Sequence, residues 1–208
     1  MGNVERKPDP IGIRLGLIVL SVAFFPLAVS LQFLLAQPQK LSRSTYPSKR
    51  MADGKQWMTR NLDVNASPAY CYEDAELNCR RYGRLYTWES ARRVCRSLGD
   101  GWRLPTDDEW RRMAKLYGGI SEDSGDKGRA AYKALLAGGG SGFNAILGGG
   151  RSQDGQYARL DAHGFYWTGS ESDAASGWFY NFARGGQALH RQDGGEKERA
   201  FSVRCVRE

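Results

Sequence analysis

Between residues 87 and 119 the apolar positions follow a helical period; after residue 156 short aromatic runs alternate with turns, as antiparallel strands do. Trp88, Ala91, Cys95 and Leu98 form one apolar stripe, with Thr87 placed as N-cap and Gly99 as the stop. A second stripe, Trp110, Met113, Ala114 and Tyr117, falls at i, i+3, i+4 and i+7. The segment before it encodes its start. Pro105 holds Leu104 extended, Thr106 stands as N-cap, and Glu109 can return the bond to complete a capping box. Asp107 and Asp108 place negative charge at the positive end of the helix dipole, and Gly118-Gly119 ends the helix. Trp102 and Trp110 mark where a two-tryptophan core begins. Residues 130–137 read as a further short helical turn. Strands are expected at Gln56–Thr59, Tyr157–Leu160, Phe165–Thr168, Trp178–Phe182 and Phe201–Val206. Two helices followed by a strand-rich half describe an α+β domain.

The domain is expected over residues 51–208, with three segments before it. Residues 1–14 form a polar tail. Residues 15–36 (LGLIVLSVAFFPLAVSLQFLLA) carry no charge, and at ~1.5 Å per residue they reach across a hydrocarbon layer of ~30 Å. They are expected to be a single transmembrane anchor, a cleaved signal peptide being the alternative. Residues 37–50 read as a polar linker. The formal net charge of +7 raises the question of nucleic acid. Seven Lys/Arg against two Asp/Glu lie in residues 1–50, whereas residues 51–208 hold twenty-three against twenty-one. The excess therefore flanks the apolar stretch, where it suits anionic headgroups, and nucleic acid is not expected as a partner. The four cysteines, Cys71, Cys79, Cys95 and Cys205, all follow that stretch. Their even number favours two disulfides in an oxidising compartment over four free thiols, with three pairings open. The N-terminus is then cytoplasmic and the domain periplasmic or extracellular.

The remaining chemistry is thin. Arg92, Arg93 and Arg96 read as the solvated side of a helix; together with Arg80, Arg81, Arg84, Arg111 and Arg112 they could alternatively dock an acidic surface. Gly138–Gly142 and Gly148–Gly150 lack the Gly-Lys-Ser/Thr ending of a phosphate loop and are expected in loops and bends. His163 and His190 stand alone as potential ligands, and the acidic residues are too scattered for a calcium loop. No catalytic residue, metal ligand or cofactor is expected.

The motifs GWRLPTDDEW, GFNAILGGGR, YWTGSES, GWFYNF and FSVRCVRE, in this order, resemble the Fibrobacter succinogenes major paralogous domain family. That family is related to the formylglycine-generating enzymes, whose fold is C-type-lectin-like. The resemblance implies a lectin-like α+β domain with its first and last strands paired. It also implies the disulfides Cys95–Cys205 and Cys71–Cys79. The oxidases of the wider superfamily bind copper through a pair of late cysteines; here only Cys205 is late, so oxidase activity is the least favoured reading. The leading expectation is a non-catalytic, membrane-anchored subunit docking on proteins of an integral membrane complex. Its candidate binding face is Trp178, Phe179, Tyr180, Phe182, Arg184, His190 and Arg191. A calcium-independent glycan-binding module is the alternative.

Overall fold

Both helical stripes fold as helices, and the second begins with the capping box that its sequence encodes. The structure, a computed structural model, describes Gly2 and residues 46–208; the latter belong to one unit, Ser44–Glu208. Its helices are α1 (Glu76–Tyr82), α2 (Trp88–Ser97), α3 (Asp107–Leu116) and α4 (Arg129–Leu135), with a 3-10 turn at Tyr72–Asp74. Its strands are β1 (Ser48–Arg50), β2 (Gln56–Met58), β3 (Ala69–Tyr70), β4 (Leu85–Tyr86), β5 (Gly148–Arg151), β6 (Tyr157–Leu160), β7 (His163–Glu171), β8 (Ser176–Ala183), β9 (Ala188–Glu196) and β10 (Val206–Arg207). They form sheets in the orders β1-β2-β10, β3-β4 and β6-β5-β7-β8-β9. In the third sheet β5 and β7 are parallel and the other neighbours antiparallel. Strand β2 pairs with β10 near the C-terminus, Trp57 opposite Val206.

The expected fold class needs correction. Among the described residues there are four α-helices, where the sequence pattern predicts two and a short turn over residues 130–137, and the elements establish an α+β class and nothing finer. Among the described residues no helix is long and apolar enough to cross a membrane; the expected transmembrane stretch, residues 15–36, lies outside them. The tail, residues 1–14, apart from Gly2, lies outside them too. The polar linker read over residues 37–50 ends in a strand. Ser48–Arg50 pairs with Gln56–Met58, and as an edge strand exposed on its outer side β1 needs no apolar alternation. Gly148–Gly150 also form a strand rather than a bend, for a steric reason. A Cβ on Gly149 would stand 2.6 Å from the Ala158 carbonyl oxygen, and one on Gly150 3.0 Å from the Phe201 ring. The strand is glycine because its neighbours occupy the side-chain space.

Trp102 and Trp110 do not share a core. Trp110 is fully buried with Trp57, Phe143, Tyr166, Tyr180 and Phe182. Its ring stacks on Tyr180 at 4.9 Å and meets Trp57 edge-on at 5.2 Å. Trp102 packs instead with Trp88, Cys95, Trp167, Phe201 and Cys205. The segment between them thus joins two apolar clusters. Disulfides Cys71–Cys79 and Cys95–Cys205 are both formed, the second tying α2 to the residue before β10. Thr87 occupies the N-cap position of α2 without a side-chain bond; the Trp88 amide donates to the Lys197 carbonyl instead.

At the start of α3 the Glu109 amide donates to Thr106 Oγ1 (3.2 Å) and the Thr106 amide to the Glu109 carboxylate (2.8 Å). Arg103 grips the same carboxylate through two bonds of 2.6 and 2.7 Å, with Lys55 at 3.3 Å. Burial by itself raises the Glu109 carboxyl, but the bonds from Arg103 and Thr106 and the nearby Lys55 outweigh it, bringing it from 4.5 to about 2. A carboxyl depressed in the folded state stabilises fully above its unfolded value and loses that contribution as pH falls through the folded one. With allowance for screening, the contribution is about 2 kcal/mol. Glu109→Gln keeps the capping geometry and removes the charge. Urea unfolding is expected to separate variant and wild type by this amount near neutral pH. The two should converge as pH falls from 4.5 toward 2; a gap that stays constant would assign the contribution to hydrogen bonding alone.

Candidate functional site

Strand β8 lies between β7 and β9, and its Phe179, Tyr180 and Phe182 are buried. Three of the expected binding residues are therefore core. Phe179 packs in the cluster of Trp102, while Tyr180 and Phe182 pack in that of Trp110. Their aromatic character reads the same in sequence whether a strand is central or exposed on one side. Trp178 and Arg191 remain part-exposed and come together, the guanidinium 3.2 Å from the ring centroid. Asp107 fixes the other side of Arg191, accepting from Nε at 2.8 Å and from Nη2 at 2.7 Å. Those bonds raise the Arg191 pKa further. Tyr180 Oη also reaches Asp107 (3.2 Å), so the buried first turn of α3 holds the surface pair in place.

The other two expected residues lie elsewhere. His190, on β9, meets Ser121 Oγ at 2.7 Å and Glu122 at 3.6 Å. Arg184 is exposed in the turn after β8, six residues along from Trp178, or ~20 Å of extended chain. The arginine patch is only partly available. Arg84 pairs with Glu76 and Asp63, Arg92 lies 4.5 Å over Trp88, and Arg93 donates to the Ser67 carbonyl. Arg80, Arg81, Arg96, Arg111 and Arg112 are exposed.

A second feature has no counterpart in the sequence reading. A cleft of about 420 Å³ opens beside β5, β6 and the β7–β9 strands. Phe165, Phe179 and Phe201 line it, in mutual contact at 4.9–6.0 Å. Across three adjacent strands runs a polar chain: Asn181 Nδ2 donates to Gln192 Oε1 at 3.0 Å, and Asn181 Oδ1 meets His163 Nδ1 at 2.9 Å. That oxygen can only accept, so His163 Nδ1 carries the proton. Arg151, Arg159 and Arg199 also line it, and no carboxylate of the described residues does. Residues this far apart in sequence gave no linear signal; only strand register brings them together.

Cys71, Glu76 and Cys79 lie close enough to suggest a metal centre, but both sulfurs are committed to their disulfide, leaving no thiolate ligand. Among known proteins, residues 46–207 match the family model described as the Fibrobacter succinogenes major domain. No curated protein and no solved structure matches the chain. As that match spans well over half of its length, the chain belongs to the Fibrobacter succinogenes major domain family.

Proposed function

We propose that the domain is a non-catalytic binding module that docks on another protein outside the cytoplasm. The observation that carries this reading is the Trp178–Arg191 pair, a part-exposed aromatic and a guanidinium immobilised by Asp107. Tryptophan and arginine are the side chains that most often anchor protein interfaces. A pair already held in one geometry loses little conformational freedom on binding. The two disulfides support an oxidising compartment. All four cysteines are bonded, which leaves no thiol for copper-dependent oxidation.

A photoreactive amino acid at position 178, expressed in the native host, is expected to capture one discrete partner. The same label at exposed Arg112 should not. Trp178→Ala should weaken binding to that partner by about thirtyfold or more, the loss typical of an interface anchor, with near-ultraviolet circular dichroism otherwise preserved. Absence of any adduct specific to position 178 would remove the docking reading.

A further inference from the structure

The geometry points to a second binding site, independent of Trp178 and Arg191: the cleft beside β5–β9 takes an acidic sugar. Its volume, about 420 Å³, lies in the range of small-molecule sites. Three features of the lining together define the ligand.

The first is positive charge. Arg199 is paired with Glu196. Arg151 and Arg159 have no ion pair among the described residues. Arg151 is held between the rings of Tyr70 (4.1 Å) and Tyr157 (5.6 Å), and its Nε is buried without a hydrogen-bond partner. Asp154 lies within electrostatic reach of Arg151, and Tyr157 bonds to that guanidinium. Arg159 therefore supplies the unmatched charge that favours an anion, and its planar donors match a carboxylate.

The second is the aromatic floor, where Phe165, Phe179 and Phe201 offer a surface for an apolar ring face. Gly150 permits this floor, since a Cβ there would press on Phe201 and Phe165 at 3.0–3.1 Å. The third is the His163–Asn181–Gln192 chain. Its internal bonds commit His163 Nδ1, the Asn181 amide and Gln192 Oε1. One end therefore presents Nε2 of His163, and the other a donor, Gln192 Nε2. Hydroxyl groups, which donate and accept, satisfy both. An inorganic anion would leave the aromatic floor unused. An aromatic carboxylate would bring no hydroxyl to the polar chain. A sugar ring bearing a carboxylate meets all three.

The test is a titration of the full chain with glucuronate, glucose, benzoate and inorganic phosphate, followed by NMR of side-chain amides and by calorimetry. Glucuronate is expected to move the Asn181 and Gln192 amide signals and to bind about tenfold or more tightly than each of the other three. Arg159 is exposed, and among the described residues its side chain makes no hydrogen bond or ion pair that its loss would orphan. Arg159→Gln should therefore fold normally, bind glucuronate about tenfold more weakly and flatten its salt dependence. Trp178→Ala should bind glucuronate as wild type does, which separates this site from the protein-docking surface. The proposal is overturned if no amide signal moves. It is equally overturned if phosphate or benzoate binds as well as glucuronate, or if Arg159→Gln is unaffected.

Discussion

Replacing Cys95 and Cys205 together by alanine is expected to cost about 5 kcal/mol of unfolding free energy. The bridge spans 110 residues, and closing a loop of that length removes much of the unfolded chain's freedom. The chain-entropy relation places the effect near 4.8 kcal/mol. A domain of this size has only about 5–15 kcal/mol in total, so the variant should be marginal at physiological temperature. The same relation gives only about 2.5 kcal/mol for Cys71–Cys79, whose separation is 8 residues. Both members of the long bridge are fully buried in the cluster of Trp88, Trp102 and Trp167, so the packing loss adds to the entropic one. Urea unfolding of the two double-alanine variants provides the check. Equal losses, or a smaller loss for the long bridge, would show that loop closure does not set this domain's stability.

Arg204→Ala is expected to cost about 4 kcal/mol or more. Arg204 is fully buried and makes no ion pair among the described residues. Its guanidinium donates to Asn61 Oδ1 (2.7 Å) and to the carbonyls of Met58 (3.0 Å), Phe143 (2.7 Å) and Asn144 (2.7 Å). It also lies 4.8 Å over the Phe143 ring. Burial lowers its pKa to about 10, so it remains charged at neutral pH. Removing it orphans acceptors worth roughly 1–3 kcal/mol each and leaves a cavity among aromatic rings. The fixed fork of donors is the reason for arginine here. Arg204→Lys keeps the charge but reaches fewer acceptors, and should recover less than half of the loss. Chemical denaturation measures both variants, and hydrogen exchange should show the Phe143–Asn144 segment opening first. Full recovery by lysine would mean that charge, not the fork, holds the segment.

Neither role is announced by local sequence. Arg204 stands in an unremarkable alternation, Phe201 to Val206, and its neighbours Asn61 and Phe143 are about 140 and 60 positions away. The aromatic-rich stretch 178–182 misled for a related reason. Its residues look alike, yet Trp178 reaches the surface while Phe179, Tyr180 and Phe182 are core, because the two apolar clusters take in the latter three alone. His163 looked like an isolated histidine, and becomes part of a three-strand polar chain once β7, β8 and β9 are in register.

What the sequence determined by itself is local. The stripe Trp88–Leu98, the capping box of Thr106 and Glu109, and the α+β order all follow from interactions within a few residues, which composition and spacing encode directly. Tertiary structure decided whatever depends on which segments become neighbours. It made Ser48–Arg50 and Gly148–Arg151 into strands, since pairing and steric exclusion, not apolar alternation, define them. It sent Trp102 and Trp110 into different clusters. It brought Arg151 and Arg159 into one cleft with three phenylalanines, because burial and charge compensation are properties of three-dimensional surroundings and have no period along the chain.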